Sequence, residues 1–453
     1  MRLFYSSSQL NIYHLPMEPA FVERFFCVPM KTKPAITAAP SKIKSFFKML
    51  GPGLVTGASD DDPSGVATYS QAGAGFGLAT LWTALITFPL MAGIQEMCAR
   101  IGTVTTSGLP GTLKAHYPKW VIYLMLIFTV PAIVLNIGAD IQSMGAVAHL
   151  IIPGLPDFVF SIIFTAALIF IIVRFDYQRI AAILKWLCLV LLLYLVVPFM
   201  IKTDWAQVLK HTIVPEIHFN KDFMMILVAI LGTTIAPYLF FWQATMSSEE
   251  ITQKAKTPNI NDNLLGKVKT DVYFGMGASN VTMFFIILTT GVVLHNAHVT
   301  KIDTVEQAAK ALEPLAGKLA YALFALGIIG TGFLCIPVLV GSMSYMVGET
   351  FGWKIGLEKK LGNAKAFYGA VIISLVLGFV LNFVGVSPIQ ALIYTAILYG
   401  LTAPVLIILV MHIGNNKKVM GEFTNGRWSN ILGALAFFLM AISAIALVYF
   451  QFK

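Results

Sequence analysis

The chain has 453 residues, is 57% hydrophobic and only 12% charged, and has a mean hydropathy of +0.78. Soluble domains hold roughly 25% charged residues, so the composition excludes a soluble globular protein and implies a polytopic protein whose partner is the lipid bilayer. The formal charge of +9 does not indicate nucleic acid, because the basic residues fall in short loops, where they report topology.

Residues 1–45 are mixed in character and hold no apolar run long enough to span. They read as a flexible basic cytoplasmic tail and not as a signal peptide, which needs a longer apolar region and a small-residue cleavage site. Met30 opens the basic stretch MKTKPAITAAPSKIK and serves equally well as a start.

Eleven apolar segments of spanning length follow, at roughly 48–73, 77–99, 120–148, 158–175, 178–202, 222–248, 268–295, 316–347, 367–384, 387–412 and 429–450. Segments three and eight are long enough to tilt or project. With the N-terminus cytoplasmic, the tail and inner loops carry 23 of the 31 Lys and Arg residues and the outer side carries 7; Lys185 lies inside segment five. That asymmetry predicts N-terminus in and C-terminus out. Between segments seven and eight, residues 303–314 (DTVEQAAKALEP) predict a short amphipathic helix on the outer surface.

Segment one contains GASDDDPSGVATYSQAGAGFG (57–77), which sets Asp60, Asp61 and Asp62 directly before Pro63 and Gly65. Asp-Pro-x-Gly is a turn signal, since Pro fixes φ, lacks a donor and turns its predecessor away from helix. At ~1.5 Å per residue the turn lies roughly 20 Å into the apolar run, about midway across. A carboxylate there costs roughly 2.5–3.5 kcal/mol, and broken backbone at that depth must line a cavity or be buried in protein. This is a functional site by default. Successive helical residues turn by about 100°, so the three aspartates cannot all face one cavity. Asp62 is expected as ligand, Asp61 as a metal-site or vestibule charge, and Asp60 as a partner of another helix.

Segment six carries GTTIAPYLFFWQ (232–243), with Pro237 at its middle. Segments one and six occupy equivalent places in two five-helix repeats, about 46–202 and 222–412. Paired interrupted spans in matching positions point to a transporter binding site. The core runs over 46–412, and 413–453 holds a cytoplasmic loop and an eleventh helix.

Other polar residues carry weaker expectations. Glu96 precedes Arg100 by four residues, which suits a helical ion pair more than a place on the ion route. Asp140 is a mid-membrane carboxylate that either lines an aqueous route or packs helices. Asn280 and Thr395 are candidates to touch a hydrated ion. Glu249 and Glu250 read as a solvated helix end, and His295 and His298 as loop residues without a third ligand. Cys27, Cys98, Cys188 and Cys335 form neither a disulfide framework nor a metal-spacing cluster and read as inert.

The interrupted stretches resemble the Nramp family of divalent-metal transporters. The family's Asp-Pro-Gly-Asn followed by FATNIQAG stands here as Asp62-Pro63-Ser64-Gly65 followed by VATYSQAG. QEMCARIGTVTTSGL (95–109) is similar to the family's QSLSARLGIVTGKDL, and GADIQSMG (138–145) to AADIAEVIG. The family's Met-Pro-His in helix six appears as Ala236-Pro237-Tyr238. The resemblance implies an all-α membrane protein of LeuT-type fold, an inverted 5+5 helix repeat with broken helices 1 and 6 plus an eleventh helix. It implies a monomer in a prokaryotic inner or plasma membrane, with no cofactor beyond the transported divalent cation.

The resemblance carries over Asp62 and the backbone carbonyl near Thr233 as metal ligands, with Gly65 and Ala236 at the positions of the family's ligating Asn and Met. Gly65 is also a position where a left-handed backbone is admissible. The helix-three acid pair is reduced to Asp140, with Ser143 in place of Glu; Tyr238 replaces His, and segment nine has no Arg. This pattern is similar to the Nramp-related magnesium transporters. Oxygen ligands suit Mg²⁺ and Mn²⁺, whereas a thioether holds softer metals, and Mg²⁺ keeps several waters that a pocket poor in side chains accommodates. The expected function is a secondary carrier of Mg²⁺, also accepting Mn²⁺, without obligatory proton coupling. The alternatives are a proton-coupled Mn²⁺/Fe²⁺ importer, an ion channel and, remotely, an intramembrane aspartyl hydrolase using Asp62 with Asp140.

Overall fold

The computed structural model describes residues 51–175, 193–254, 259–383 and 385–452. Among these, eight helices are long and apolar enough to cross a bilayer: Lys119–Ile151, Asp157–Arg174, Lys221–Gln253, Asp262–His295, Ala320–Phe351, Lys365–Phe383, Pro388–Asn415 and Arg427–Phe450. They are segments three, four and six to eleven. Segment two is a 24-residue helix, Trp82–Thr105. Of segment five only its last part is described, as the helix Leu193–Met200; Lys185 and Cys188 lie outside the described residues, as do the 1–45 tail, Cys27 and Met30.

Both interrupted segments are broken where the prolines predict. Segment one is a helix Pro52–Asp60, a gap at Asp61 and Asp62, and a second helix Pro63–Phe76. Segment six is a helix Lys221–Thr234, a gap at Ile235 and Ala236, and a second helix from Pro237 to Lys254. In each case Pro is the first helical residue, where its missing N–H costs nothing and its fixed φ starts a helix.

The helix pairings repeat between the two halves of the chain. Segment three packs on four as eight packs on nine, and the second half of one packs on seven as the second half of six packs on two. Where helices cross tightly, glycines let backbones touch. A Cβ on Gly57 would lie 2.2 Å from the carbonyl oxygen of Gly275, and one on Gly232 would lie 2.0 Å from that of Ala396. Segment one's first helix packs on segment seven, and segment six's first helix on segment ten.

The start of segment one has no side-chain cap of its own. Asp271 of segment seven supplies it, accepting from the N–H groups of Gly51 at 2.8 Å, Gly53 at 2.6 Å and Leu54 at 3.3 Å. The expected outer helix at 303–314 is Val305–Ala309 followed by a 3₁₀ turn and Glu313–Ala316, opened by a Thr304–Gln307 capping box. Two short helices that the hydropathy pattern does not predict, Leu109–His116 and Trp205–Ile213, sit in connections.

Candidate functional site

The two gaps face each other, tied crosswise by side chains. Tyr238, in the first turn after the second gap, donates its hydroxyl to the carbonyl of Ser59 at 3.0 Å. That carbonyl belongs to the last turn before the first gap, where helical acceptors lack intrahelical donors. From the other side Ser64 Oγ lies 3.4 Å from Thr233 Oγ1, and the Tyr69 hydroxyl lies 3.2 Å from Thr234 Oγ1. Ala236 sits in the second gap at 1% exposure.

Asp62 is the N-cap of segment one's second helix. Its Oδ1 accepts from the N–H of Gly65 at 2.7 Å, the usual reach of a capping carboxylate. Its Oδ2 accepts from Asn136 Nδ2 at 3.0 Å. Asn136 in turn has its Oδ1 3.1 Å from the Thr395 hydroxyl of segment ten, so one amide joins segments one, three and ten at the carboxylate. Asp62 is 1% exposed, so the site is shut from solvent.

The neighbouring acids turn elsewhere. Ser279 Oγ of segment seven lies 2.7 Å from Asp60 Oδ2 and 3.0 Å from Asp61 Oδ1. One hydroxyl hydrogen serves one acceptor at a time, and Asp60 Oδ1 accepts no hydrogen bond among the described residues. Asp60 pairs with another helix as expected. Asp61, expected as a metal-site charge, shares that same Ser279 because it is the C-cap of the first helix and its side chain follows Asp60 toward segment seven.

Asp140 is fully buried and converges with Asp62. One ligand atom each from Asp62, Asp140 and Cys335 lies within 4.8 Å of the other two. The Cys335 thiol of segment eight donates to Asp140 Oδ2 at 3.5 Å, and Asp140 Oδ1 accepts nothing among the described residues. Ser143 donates to Asp140's own carbonyl at 2.8 Å and adds no acid group here.

Several other expected residues have structural tasks. Gly65 is helical and is absent from the positive-φ glycines, which corrects the left-handed expectation: with Pro63 and Asp62 starting the helix, Gly65 falls in its first turn. Asn280 is held at both ends by segment two, donating to the Ala84 carbonyl at 2.7 Å and accepting from Thr87 at 3.0 Å, so it does not reach the gap. Glu96 pairs with Arg100 and accepts from Ser429 at 2.9 Å, a clamp between segments two and eleven. Glu249 accepts from Tyr345 at 2.8 Å. His295 bonds the Ala74 carbonyl at 2.8 Å and, with His211, Glu216 and His218, lines a cavity of about 590 Å³ that lies, in the predicted orientation, at the outer mouth.

Asn136, Ser279 and Cys335 are the residues that the sequence reading missed. Asn136, Asp140 and Ser143 recur at i, i+4 and i+7, a polar stripe on one face of an apolar helix, and that period was available. Ser279 had no comparable signal. Cys335 had only Pro337 two residues on.

A bundle of apolar helices in two repeats, each opening with a helix broken around a buried polar site, is the architecture of a secondary transporter of LeuT-type fold. Among solved structures, the chain is similar to the manganese transporter of Eremococcus coleocola (TM-score 0.68, 17% identity, covering 90% of this chain and 88% of that one). It is also similar to MhsT, solved with L-phenylalanine (TM-score 0.56, 14% identity, covering 88% of this chain and 97% of that one). The family model described as natural resistance-associated macrophage protein-like matches residues 53–450, and the chain belongs to this Nramp family. A curated relative, the divalent metal cation transporter MntH of Caldanaerobacter subterraneus subsp. tengcongensis, is 26% identical over 421 residues, covering 91% of this chain and 95% of its own length.

Proposed function

We propose that the protein is a secondary carrier of divalent metal cations, taking Mg²⁺ and also Mn²⁺ by alternating access, with N-terminus in and C-terminus out. The observation that carries this reading is Asp62: a buried carboxylate capping a mid-segment helix break, opposite the end of segment six's first helix. A cation there replaces or shares the Gly65 and Asn136 hydrogen bonds, with carbonyls at the helix ends as further oxygen ligands. Hardness favours Mg²⁺, because Gly65 and Ala236 offer no side-chain ligand and leave room for retained water. Met283 Sδ approaches the second gap, 3.7 Å from Thr234 Oγ1 and 3.8 Å from Thr87 Oγ1, whose hydrogens have shorter acceptors in the Ile230 carbonyl and Asn280.

Asp62 and Asp140 converge as a hydrolase would need, but the relatives matched are metal transporters and the paired helix breaks have no use in hydrolysis. The test is uptake into proteoliposomes of Mg²⁺, Mn²⁺ and Ca²⁺. Mg²⁺ and Mn²⁺ are expected to enter saturably, and Asp62→Ala to lose uptake while remaining monodisperse. Wild-type uptake by that variant would sink the site assignment, and non-saturating flux would favour a channel.

A further inference from the structure

We propose that Asp62, Asp140 and Cys335 form a subsite for a thiophilic divalent cation, of the Zn²⁺ or Cd²⁺ class, whose occupancy blocks carriage by holding Asp62. The consequence for transport rests on the carrier reading above; the binding site itself does not.

Two independent observations point to a ligand. The three ligand atoms lie within 4.8 Å of one another and come from segments one, three and eight. Separately, Asp140 is fully buried with Oδ1 unpartnered among the described residues, while Oδ2 receives only a weak thiol donor. A buried carboxylate oxygen left without a partner is costly, and a cation satisfies it. Bonds of about 2.0–2.3 Å to carboxylate oxygen and thiolate sulfur in a tetrahedral site place ligand atoms roughly 3.3–3.8 Å apart, so side-chain shifts of at most about 1.5 Å close the set.

The donor set decides the class of ion. Two carboxylates and one thiolate suit Zn²⁺ and its softer congener Cd²⁺, whereas Mg²⁺ avoids sulfur. Coordination replaces the thiol hydrogen, which leaves as a proton to solvent. The bound ion then links segment one to segments three and eight. Alternating access requires broken helices to move against their surroundings, so an ion held by sulfur and two acids pins what must move.

The experiment uses the full-length chain in detergent, titrated with Cd²⁺ and followed by calorimetry and by thiolate-to-metal charge-transfer absorption in the ultraviolet. Wild type is expected to develop the absorption. Cys335→Ser is expected to lose it and to bind Cd²⁺ at least tenfold more weakly, and Asp140→Asn to weaken binding by a similar factor. If Cys335→Ser does not elute as a single species, the readout is Cys335 alkylation in wild type, mapped by mass spectrometry, which Cd²⁺ is expected to slow at least fivefold. No absorption in wild type, or an unchanged signal in Cys335→Ser, overturns the subsite, as does alkylation indifferent to Cd²⁺. In proteoliposomes Cd²⁺ is expected to inhibit Mg²⁺ uptake. Mg²⁺ uptake without the Cd²⁺ signal defeats the subsite alone, and the Cd²⁺ signal without Mg²⁺ or Mn²⁺ uptake defeats the carrier reading alone. Cd²⁺ bound at Cys335 but leaving Mg²⁺ uptake unaffected overturns the blocking role.

Discussion

Gly65 and Ala236 stand at the two gaps, and substitutions there make selectivity testable. A Cβ at Gly65 would lie 3.3 Å from Tyr69 Cε2 and 3.4 Å from both the Asp60 carbonyl and Thr233 Oγ1, so the Tyr69 ring must give by a few tenths of an ångström. Since Gly65 is helical, Asn there meets no left-handed strain. Gly65→Asn with Ala236→Met adds a carbonyl oxygen and a polarisable sulfur and displaces water. We expect the double variant to shift preference from Mg²⁺ toward Mn²⁺ or Cd²⁺ about tenfold, which needs ~1.4 kcal/mol of differential binding. Calorimetric titration and competitive uptake read it; an unchanged preference in a folded variant would locate selectivity elsewhere. Because Cys335 already binds Cd²⁺ in the subsite proposed above, the comparison belongs in a Cys335→Ser background.

At the scale of the helix, most of the architecture was legible because proline and hydropathy act locally. Pro63 and Pro237 marked both breaks to within a residue, and segments three, four and six to eleven appear where the apolar runs put them. What the sequence hid were contacts between segments. Asp271 reads as a charge one turn into a span, yet its carboxylate caps a helix 218 residues away. Asn136 and Ser279 are likewise intelligible only once segments one, three and seven are brought together. Asp271→Ala leaves the Gly51, Gly53 and Leu54 amides without that acceptor. We expect a loss of about 1–3 kcal/mol, the usual cost of a buried donor such as the Gly53 amide left unpaired, read as a lower melting temperature in detergent with Asp271→Asn retaining part of it. Equal melting temperatures for wild type and Asp271→Ala would mean the amides find another partner.

At the scale of the molecule, the question is what else moves with the metal. The groups that the resemblance assigns to the family's proton route are replaced at three places: Tyr238 donates to the Ser59 carbonyl, Ser143 turns to its own helix, and segment nine, Lys365–Phe383, contains no Arg. Asp140 remains, beside Asp62 and Cys335. We expect Mg²⁺ entry into proteoliposomes to proceed without internal acidification. Acidification that scales with uptake and disappears in Asp140→Asn would establish coupling. The sequence made the substituted groups plain, but it could not reveal that Tyr238 donates across the gaps to the Ser59 carbonyl.

The paired breaks also divide the electrostatic labour by distance. At each gap one helix ends and the next begins, so peptide dipoles leave roughly −0.5 and +0.5 of a charge side by side. From afar these cancel, and the long-range field felt by an approaching ion is that of the aspartate carboxylates. Close in, the cancellation fails, and on the proposed reading the Asp62 carboxylate and individual carbonyl oxygens fix where the ion rests. On that reading the far field is expected to select the sign of the cargo and the near field its identity. On the carrier reading proposed above, removing Asp62 is expected to bear on whether a cation arrives at all, and remodelling Gly65 and Ala236 on which cation stays.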